Sequence, residues 1–294
     1  MNKFEELFAQ YGCDAVSDQQ ISASVADMIA QHYAENNTPD VWAQCLNQID
    51  LTTLSVDDTT ERVSAMAEHV NQFQAHFPGL KNVAAICVYP AMVPVVKQYL
   101  KADNIGIASC CGGFPASQTY SEIKVAETSM AVMEGSTEID VVLSVGKFLE
   151  GNYVEAYDDL CEMKAACREA HLKVILETGA LLSCANIKRA SILAMQAGAD
   201  FIKTSTGKIA VSATPEAAYV MCCAIKEWYE KTGERVGFKA AGGISTTADA
   251  VKYYTIVKHV LGKEWLNNRM FRFGASRLAN NLLSSLQGHE VKYF

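Results

Sequence analysis

The chain has 294 residues, of which half are apolar and a fifth are charged, so a fibrous or disordered protein is excluded and a large folded core is expected. A net charge of −8 disfavours nucleic acid and anionic membranes as partners, because both are polyanions; a small anion can still bind at a local positive site. With no stretch of about 18 apolar residues and no apolar signal core at the N-terminus, we expect a soluble, cytoplasmic protein without a membrane partner.

The ten cysteines form no C-x-x-C pair and no Cys/His spacing typical of a zinc site. Several lie within apolar runs, such as Cys87 and the pair Cys222 and Cys223. We therefore expect buried, reduced thiols, as in a protein of the reducing cytosol.

Residues 1–45 have the polar, amphipathic pattern of helices, with a predicted break between Asn36 and Asp40, and are assigned to an N-terminal helical extension. From residue 46 to residue 294, short β-branched runs alternate with longer segments of helical period. The eight predicted strands are 48–54, 82–89, 105–109, 138–144, 172–178, 201–206, 235–240 and 270–274.

Predicted helices fill the gaps between these strands, at 59–76, 91–102, 119–134, 153–170, 184–197, 214–231, 246–262 and 276–287. Strict alternation predicts a parallel sheet covered by helices, and eight strands are the number that closes into a (β/α)8 TIM barrel. A doubly wound sheet is disfavoured, because a helix cap at 55–58 follows the first strand where a glycine-rich turn would be expected. The prediction is a single α/β domain of residues 46–294.

Charged residues interrupt five of the predicted strands, although strands of a parallel barrel are normally apolar on both faces. A buried charge costs several kcal/mol unless it is paired, so charges on different strands are expected to meet inside the barrel. Three acidic and three basic residues could balance one another there: Asp50, Asp140 and Glu177 against Lys173, Lys203 and Lys239.

Lys203 and Lys239 are placed at the ends of consecutive strands, the sixth and the seventh. Neighbouring strands lie ~4.8 Å apart, so two ammonium groups there would repel each other and favour release of one proton. A free amine at Lys203 could attack a carbonyl to form a Schiff base, whose iminium accepts electrons during C–C cleavage. Asp140 could relay the protons, and the three residues together predict a class I aldolase.

No histidine is predicted at the C-terminal end of a strand, which disfavours a histidine electrophile or a histidine metal centre in the barrel. A divalent cation would also require converging carboxylates without interleaved lysines. We therefore expect no metal centre for the reaction.

Glycine-bearing turns follow the last three predicted strands and offer free backbone N–H groups to a phosphate. In barrels the loops after the seventh and eighth strands often form such a site. The candidate phosphate-binding residues are Thr206, Gly207, Lys208, Gly242, Gly243 and Ser276.

The chain resembles the deoxyribose-phosphate aldolase (DeoC) family over about residues 48–288. The resemblance rests on seven ordered segments, of which the run 198–208 through Lys203 is the most specific: 49–54, 84–90, 138–142, 173–179, 198–208, 236–239 and 272–276. It implies reversible cleavage of 2-deoxy-D-ribose 5-phosphate to D-glyceraldehyde 3-phosphate and acetaldehyde, in deoxynucleotide breakdown and without a cofactor. It also implies that Lys203 forms the Schiff base and that Asp140 and Lys239 transfer protons. We add three candidate substrate-binding residues: Asp50, Cys87 and Lys173.

Three positions and one segment depart from the family pattern. Ala240 stands where proline is common, and Arg277 stands where a second serine is common, so a hydroxyl ligand for phosphate is replaced by a positive charge. Residues 1–45 exceed the compact bacterial form. Tyr293 is offset by one residue from a C-terminal tyrosine that reaches the active site in some members.

Two alternatives remain open at this point. The chain could be another Schiff-base aldolase, transaldolase-like or acting on sugar acids, or a barrel that binds sugar phosphates without turnover. Each of these proteins could also form a homo-oligomer.

Overall fold

The computed structural model describes residues 3–294 and contains the eight parallel strands that the sequence predicts, closed into a barrel. Each strand pairs with the next, and β8 pairs with β1 through Asp50 and Gly274. The strands are β1 Ile49–Thr52, β2 Ala85–Val88, β3 Gly106–Cys111, β4 Glu138–Val142, β5 His171–Ile175, β6 Phe201–Lys203, β7 Gly237–Ala241 and β8 Phe271–Ala275.

Twelve α-helices are present within residues 3–294, and those after β1 surround the barrel. Their bounds are α1 Lys3–Gln10, α2 Asp18–Asn36, α3 Pro39–Asn47, α4 Thr60–His76, α5 Val93–Tyr99, α6 Ser121–Met133, α7 Val145–Leu149, α8 Tyr153–Cys167, α9 Cys184–Gln196, α10 Pro215–Thr232, α11 Thr247–Val260 and α12 Arg277–Gln287. The prediction of an α/β barrel is confirmed.

Local sequence explains where several helices begin. Thr38 and Thr214 accept a hydrogen bond from the third residue of α3 and α10, and a proline occupies the first turn of each. Thr246 and Asp249 form a capping box at the start of α11. The caps at Thr214 and Thr246 end the loops that follow β6 and β7, so they fix where these two loops rejoin the helical layer.

The N-terminal helices pack outside the barrel: α2 lies against α10 and α11, and α3 lies against α11 and α12. Helix α2 ends at Asn36 and α3 begins at Pro39, which matches the predicted break. Helix α3 runs on to Asn47 and so crosses the boundary at residue 45, which stays a prediction.

All ten cysteines carry free thiols, and eight of them are buried. Burial disfavours the thiolate form, as in Cys13, where desolvation raises the pKa to about 11. No helix within residues 3–294 combines the length and the apolar character that a membrane span requires.

Candidate active site

A cavity of about 260 Å³ opens where the C-terminal ends of β6, β7, β8 and β1 meet. Lys203, the last residue of β6, lines this cavity and is only 3% exposed. All six candidate phosphate-binding residues line the same cavity: Thr206, Gly207, Lys208, Gly242, Gly243 and Ser276. The C-terminal face of a barrel is where loops assemble its site, so the candidate amine and the candidate anion-binding loops share one space.

Asp140 joins the two candidate lysines inside the barrel. Its Oδ2 atom accepts hydrogen bonds from the Nζ atoms of Lys203 at 2.8 Å and of Lys239 at 2.7 Å. Lys203 and Lys239 are directly paired across β6 and β7, as the sequence predicts, and both Asp140 and Lys239 are fully buried. The three candidate catalytic residues therefore form one contiguous group.

The group continues into a second layer of buried ion pairs around Asp50. Lys173 donates to Asp50 at 2.9 Å, and Lys239 also contacts Asp50. Arg272 reaches both Asp50 and Glu138, with 2.9 Å between its Nη2 atom and Oε1 of Glu138, and Lys173 also contacts Glu138. These seven residues, from six strands, are called the barrel ion cluster below: Asp50, Glu138, Asp140, Lys173, Lys203, Lys239 and Arg272.

The prediction that Glu177 belongs to this cluster is wrong. Glu138 and Arg272 do belong to it, although the sequence analysis did not include them. Glu177 lies beyond the end of β5 with a φ of 54°, so the alternation of side chains along the strand does not extend to it. Glu138 could have been recognised, because it precedes Asp140 by two residues and thus faces the same side of β4.

The cluster contains three carboxylates and four basic side chains. Burial alone would raise the pKa of Asp140, but attraction to Lys203, Lys239 and Lys173 outweighs it and lowers that pKa. The pKa of Asp50 lies well below its usual value because attraction to Lys173 and Lys239 overcomes the opposing effect of burial. All three carboxylates, including Glu138 with its lowered pKa, are therefore ionised at neutral pH.

Three of the four basic groups are held in their charged form. Burial opposes the charge on Lys239, but Asp140 and Asp50 raise its pKa well above the usual value. Asp50 and Glu138 likewise raise the pKa of Lys173 against burial, and they do the same for Arg272. These three cations balance the charges of the three carboxylates, and Lys203 is the fourth basic group of the cluster.

Two glycines leave the room that long side chains in the cluster need. A Cβ atom at Gly274 would lie 3.0 Å from Cε of Lys239, and one at Gly106 would lie 2.7 Å from Oε1 of Glu138. Both distances are shorter than a comfortable contact, so glycine at these strand positions lets the charged side chains cross the barrel.

Glu177 has a different role, because its carboxylate holds the loop after β6. Its Oε1 atom accepts a hydrogen bond from the Thr206 N–H at 3.2 Å, and its Oε2 atom accepts one from the Thr206 hydroxyl. That hydroxyl oxygen in turn accepts from the Lys208 N–H at 3.0 Å. Glu177 thus positions the segment that carries Gly207 and Lys208 into the cavity.

We expect Glu177→Gln to raise KM about tenfold for the phosphorylated sugar that the family resemblance implies, while kcat changes little. One carboxylate oxygen becomes an amide donor that the Thr206 hydroxyl cannot fully satisfy, which costs about 1–3 kcal/mol. Steady-state kinetics with a phosphorylated and an unphosphorylated deoxy sugar measure this. An equal loss with both sugars would contradict a role limited to the anion-binding loop.

The remaining candidates lie outside the cavity. Cys87 is fully buried in the barrel interior, with its Sγ atom 3.8 Å from that of Cys110, and the hydrogen bond between the two thiols lowers the pKa of Cys87. Asp50 and Lys173 belong to the deeper layer of the barrel ion cluster. Tyr293 packs against α4, where its hydroxyl donates to the His69 carbonyl at 2.7 Å, and Asn280 holds the backbone of the tail.

A barrel with a buried lysine and candidate anion-binding loops at one mouth, and with ionised carboxylates in its interior, has the arrangement of an enzyme that works on a small anionic substrate. A model of the DeoC/LacD family aldolases matches residues 45–261. The chain belongs to this family and is a lyase.

Relatives over most of the chain agree with this assignment. The deoxyribose-phosphate aldolase of Homo sapiens is 43% identical over 82% of this chain and 79% of its own length. That of Mus musculus is 44% identical over the same shares of both chains. Among solved structures, the deoxyribose phosphate aldolase from Aeropyrum pernix is 22% identical, with a TM-score of 0.67, 88% of this chain covered and 97% of the other, and it supports the fold.

Proposed function

We propose that this chain reversibly cleaves 2-deoxy-D-ribose 5-phosphate to D-glyceraldehyde 3-phosphate and acetaldehyde through a Schiff base on Lys203. The observation that carries the proposal is the position of Lys203, at the one point where the barrel ion cluster meets the cavity. The names of the 43–44% identical relatives support the substrate.

The charge count of the cluster supports Lys203 as the nucleophile. Lys173, Lys239 and Arg272 already neutralise the three carboxylates, so a proton on Lys203 is the surplus charge of a buried site. The free amine attacks the sugar aldehyde at C1, and loss of water from the adduct leaves an iminium.

Cleavage then moves electrons into the iminium. A base takes the proton of the C3 hydroxyl, the C2–C3 bond breaks, and its electron pair forms an enamine with the nitrogen of Lys203 as D-glyceraldehyde 3-phosphate departs. Protonation of the enamine carbon and addition of water release acetaldehyde and the amine. Asp140 and Lys239 are the groups proposed to move these protons, because both lie within hydrogen-bonding distance of one another and Asp140 contacts Lys203.

The loops around the cavity are suited to the phosphate. Gly242 and Gly243 both have positive φ values, which turn the chain sharply after β7, and Lys208 adds a positive charge. Helix α12 begins at Arg277 directly after Ser276, so its free N–H groups and positive dipole end lie at the cavity. Arg277 also lines the cavity and supplies charge in place of the hydroxyl that the family pattern would place there.

Borohydride reduction in the presence of acetaldehyde, followed by mass spectrometry, tests this proposal. We expect one reduced adduct on a peptide containing Lys203. When borohydride is omitted, we expect the protein to release acetaldehyde from deoxyribose 5-phosphate. An adduct formed only with ketones would indicate another Schiff-base aldolase. Binding of the sugar phosphate with neither adduct nor turnover would indicate a non-catalytic barrel.

We place the reaction in deoxyribonucleotide breakdown in the cytoplasm. The ten free thiols support a reducing compartment, because oxidising compartments favour disulfides.

We further propose that the chain forms a homo-oligomer through the outer face of α6. Ile123, Met130 and Met133 are all more than half exposed on this helix, and Tyr120 precedes it with 78% exposure. Contiguous apolar surface of this kind is typical of protein interfaces. We expect Met130→Glu to reduce the mass measured by light scattering to that of a monomer. Leu182→Glu, at an exposed site away from α6, should leave the mass unchanged. A monomeric wild type would overturn the proposal.

A further inference from the structure

Two histidines and a glutamate meet on the outside of the barrel, where the N-terminal helix α2 packs against α11. His32 and Glu35 are three residues apart and share one face of α2, while His259 lies in the last turn of α11. The Oε1 atom of Glu35 lies 3.6 Å from Nδ1 of His32 and 3.4 Å from Nε2 of His259. One donor atom from each side chain lies within 4.8 Å of the other two.

Two of the three separations match the edges of a tetrahedral zinc site. Two donor atoms about 2.1 Å from a zinc ion at the tetrahedral angle are about 3.4 Å apart. The two glutamate–histidine edges already have this length. The imidazole rings are stacked with their centroids 3.8 Å apart, and both are partly exposed, so rotation about χ2 can direct both ring nitrogens at one point.

We propose that His32, Glu35 and His259 bind a Zn²⁺ ion, with water as the fourth ligand, and that the ion links α2 to the barrel. Two imidazoles and one carboxylate are a donor set that zinc accepts while an open position remains.

The surroundings of the three side chains suit a cation at this point. Burial and the neighbouring His32 lower the pKa of His259, and the neutral imidazole is the form that binds metal. Glu35 has a lowered pKa and is therefore ionised. Lys258 competes with the ion, because its Nζ atom lies 3.6 Å from Oε1 of Glu35. Lys226, Glu227 and Glu230 line a pocket together with His259, and the two glutamates add negative charge there.

A metal at this site would reinforce contacts that already hold the N-terminal segment to the barrel. The side chain of Asn36, at the end of α2, donates to the Thr255 hydroxyl at 3.1 Å and accepts from Lys258 at 2.6 Å. An ion that binds only the folded state stabilises it according to its concentration. The ion would therefore stabilise the contact between α2 and α11 without entering the active-site cavity.

Thermal unfolding of the full chain, stripped of metal with a chelator and then titrated with zinc chloride, tests the site. We expect a saturable rise in Tm of about 5 °C when zinc exceeds its Kd a hundredfold, with one ion bound per chain by calorimetry. Absence of such a rise, or saturation that requires more than one ion per chain, would overturn the proposal.

Variants separate this site from zinc binding elsewhere. His32→Ala and His259→Ala should each weaken zinc binding by more than about tenfold, the loss that even supporting residues cause. Lys258→Ala should tighten it, because the competing ammonium is removed. His289→Ala, at an exposed histidine near the C-terminus, is the matched control and should behave as wild type.

Two results would count against the site: an unchanged zinc response in His32→Ala, or weaker binding in Lys258→Ala. Zinc-induced stabilisation does not depend on the aldolase reaction. Failure of this proposal and failure of the proposed function are thus distinguishable.

Discussion

Replacement of Lys203 by leucine is expected to abolish the borohydride-trapped adduct and to lower kcat/KM by about 10⁴-fold or more. The variant loses the only amine that the reaction proposed above uses as a nucleophile, and removal of a covalent nucleophile has losses of this order. The fold should persist, because Asp140 keeps its hydrogen bond to Lys239 at 2.7 Å and no carboxylate of the barrel ion cluster is left without a partner. Mass spectrometry, initial rates and circular dichroism measure the three expectations.

A matched control is available in Lys188, a buried lysine that pairs with a carboxylate outside the barrel ion cluster. Its Nζ atom donates to Glu227 at 2.8 Å, and the side chain lies on α9. Lys188→Leu should retain both the adduct and turnover. An adduct that persists in Lys203→Leu would move the nucleophile to another lysine and refute the assignment.

Replacement of Lys239 by methionine is expected to lower activity at neutral pH by about 10²–10⁴-fold, the range for loss of a general acid or base. It should also move the rise of kcat/KM to higher pH. Without Lys239 the cluster has three basic groups for three carboxylates, so a protonated Lys203 becomes the charge that restores neutrality. The amine is then less available, and the pH–rate profile measures this.

A double variant separates the two roles of Lys239. Asp50→Asn in the Lys239→Met background removes one carboxylate and restores the charge count that favours a neutral Lys203. The pH profile should return toward that of the wild type, while the maximal rate stays low if Lys239 also transfers protons. Breaking a buried ion pair costs about 3–5 kcal/mol, so Tm is measured beside the rates. Normal activity and an unshifted profile in Lys239→Met would contradict the coupling.

The sequence was sufficient to predict which residues lie together where the strands end. Lys203, Gly242 and Ser276 could be placed at one face because consecutive parallel strands all end on the same side of a barrel. Lys239 was also predicted at a strand end, but it lies in the middle of β7 and is fully buried. The alternation of β-branched runs and helical segments predicts that order without any knowledge of contacts. The eight strands of the structure confirm the order, although β6 ends at Lys203 and not at residue 206, because the chain turns there into the loop that Glu177 holds.

The tertiary structure decided which distant groups touch. Arg272 joins Asp50 only because the barrel closes β8 onto β1, and Glu177 leaves the cluster because its left-handed backbone conformation reverses the direction that strand alternation implies. His32 and His259 are 227 positions apart, and only the packing of α2 on α11 brings their rings together. Periodicity along the chain determines the helices and strands and which of their faces are apolar. Contacts between these elements depend on closure of the barrel, on local φ angles and on helix packing, which no spacing in the sequence encodes.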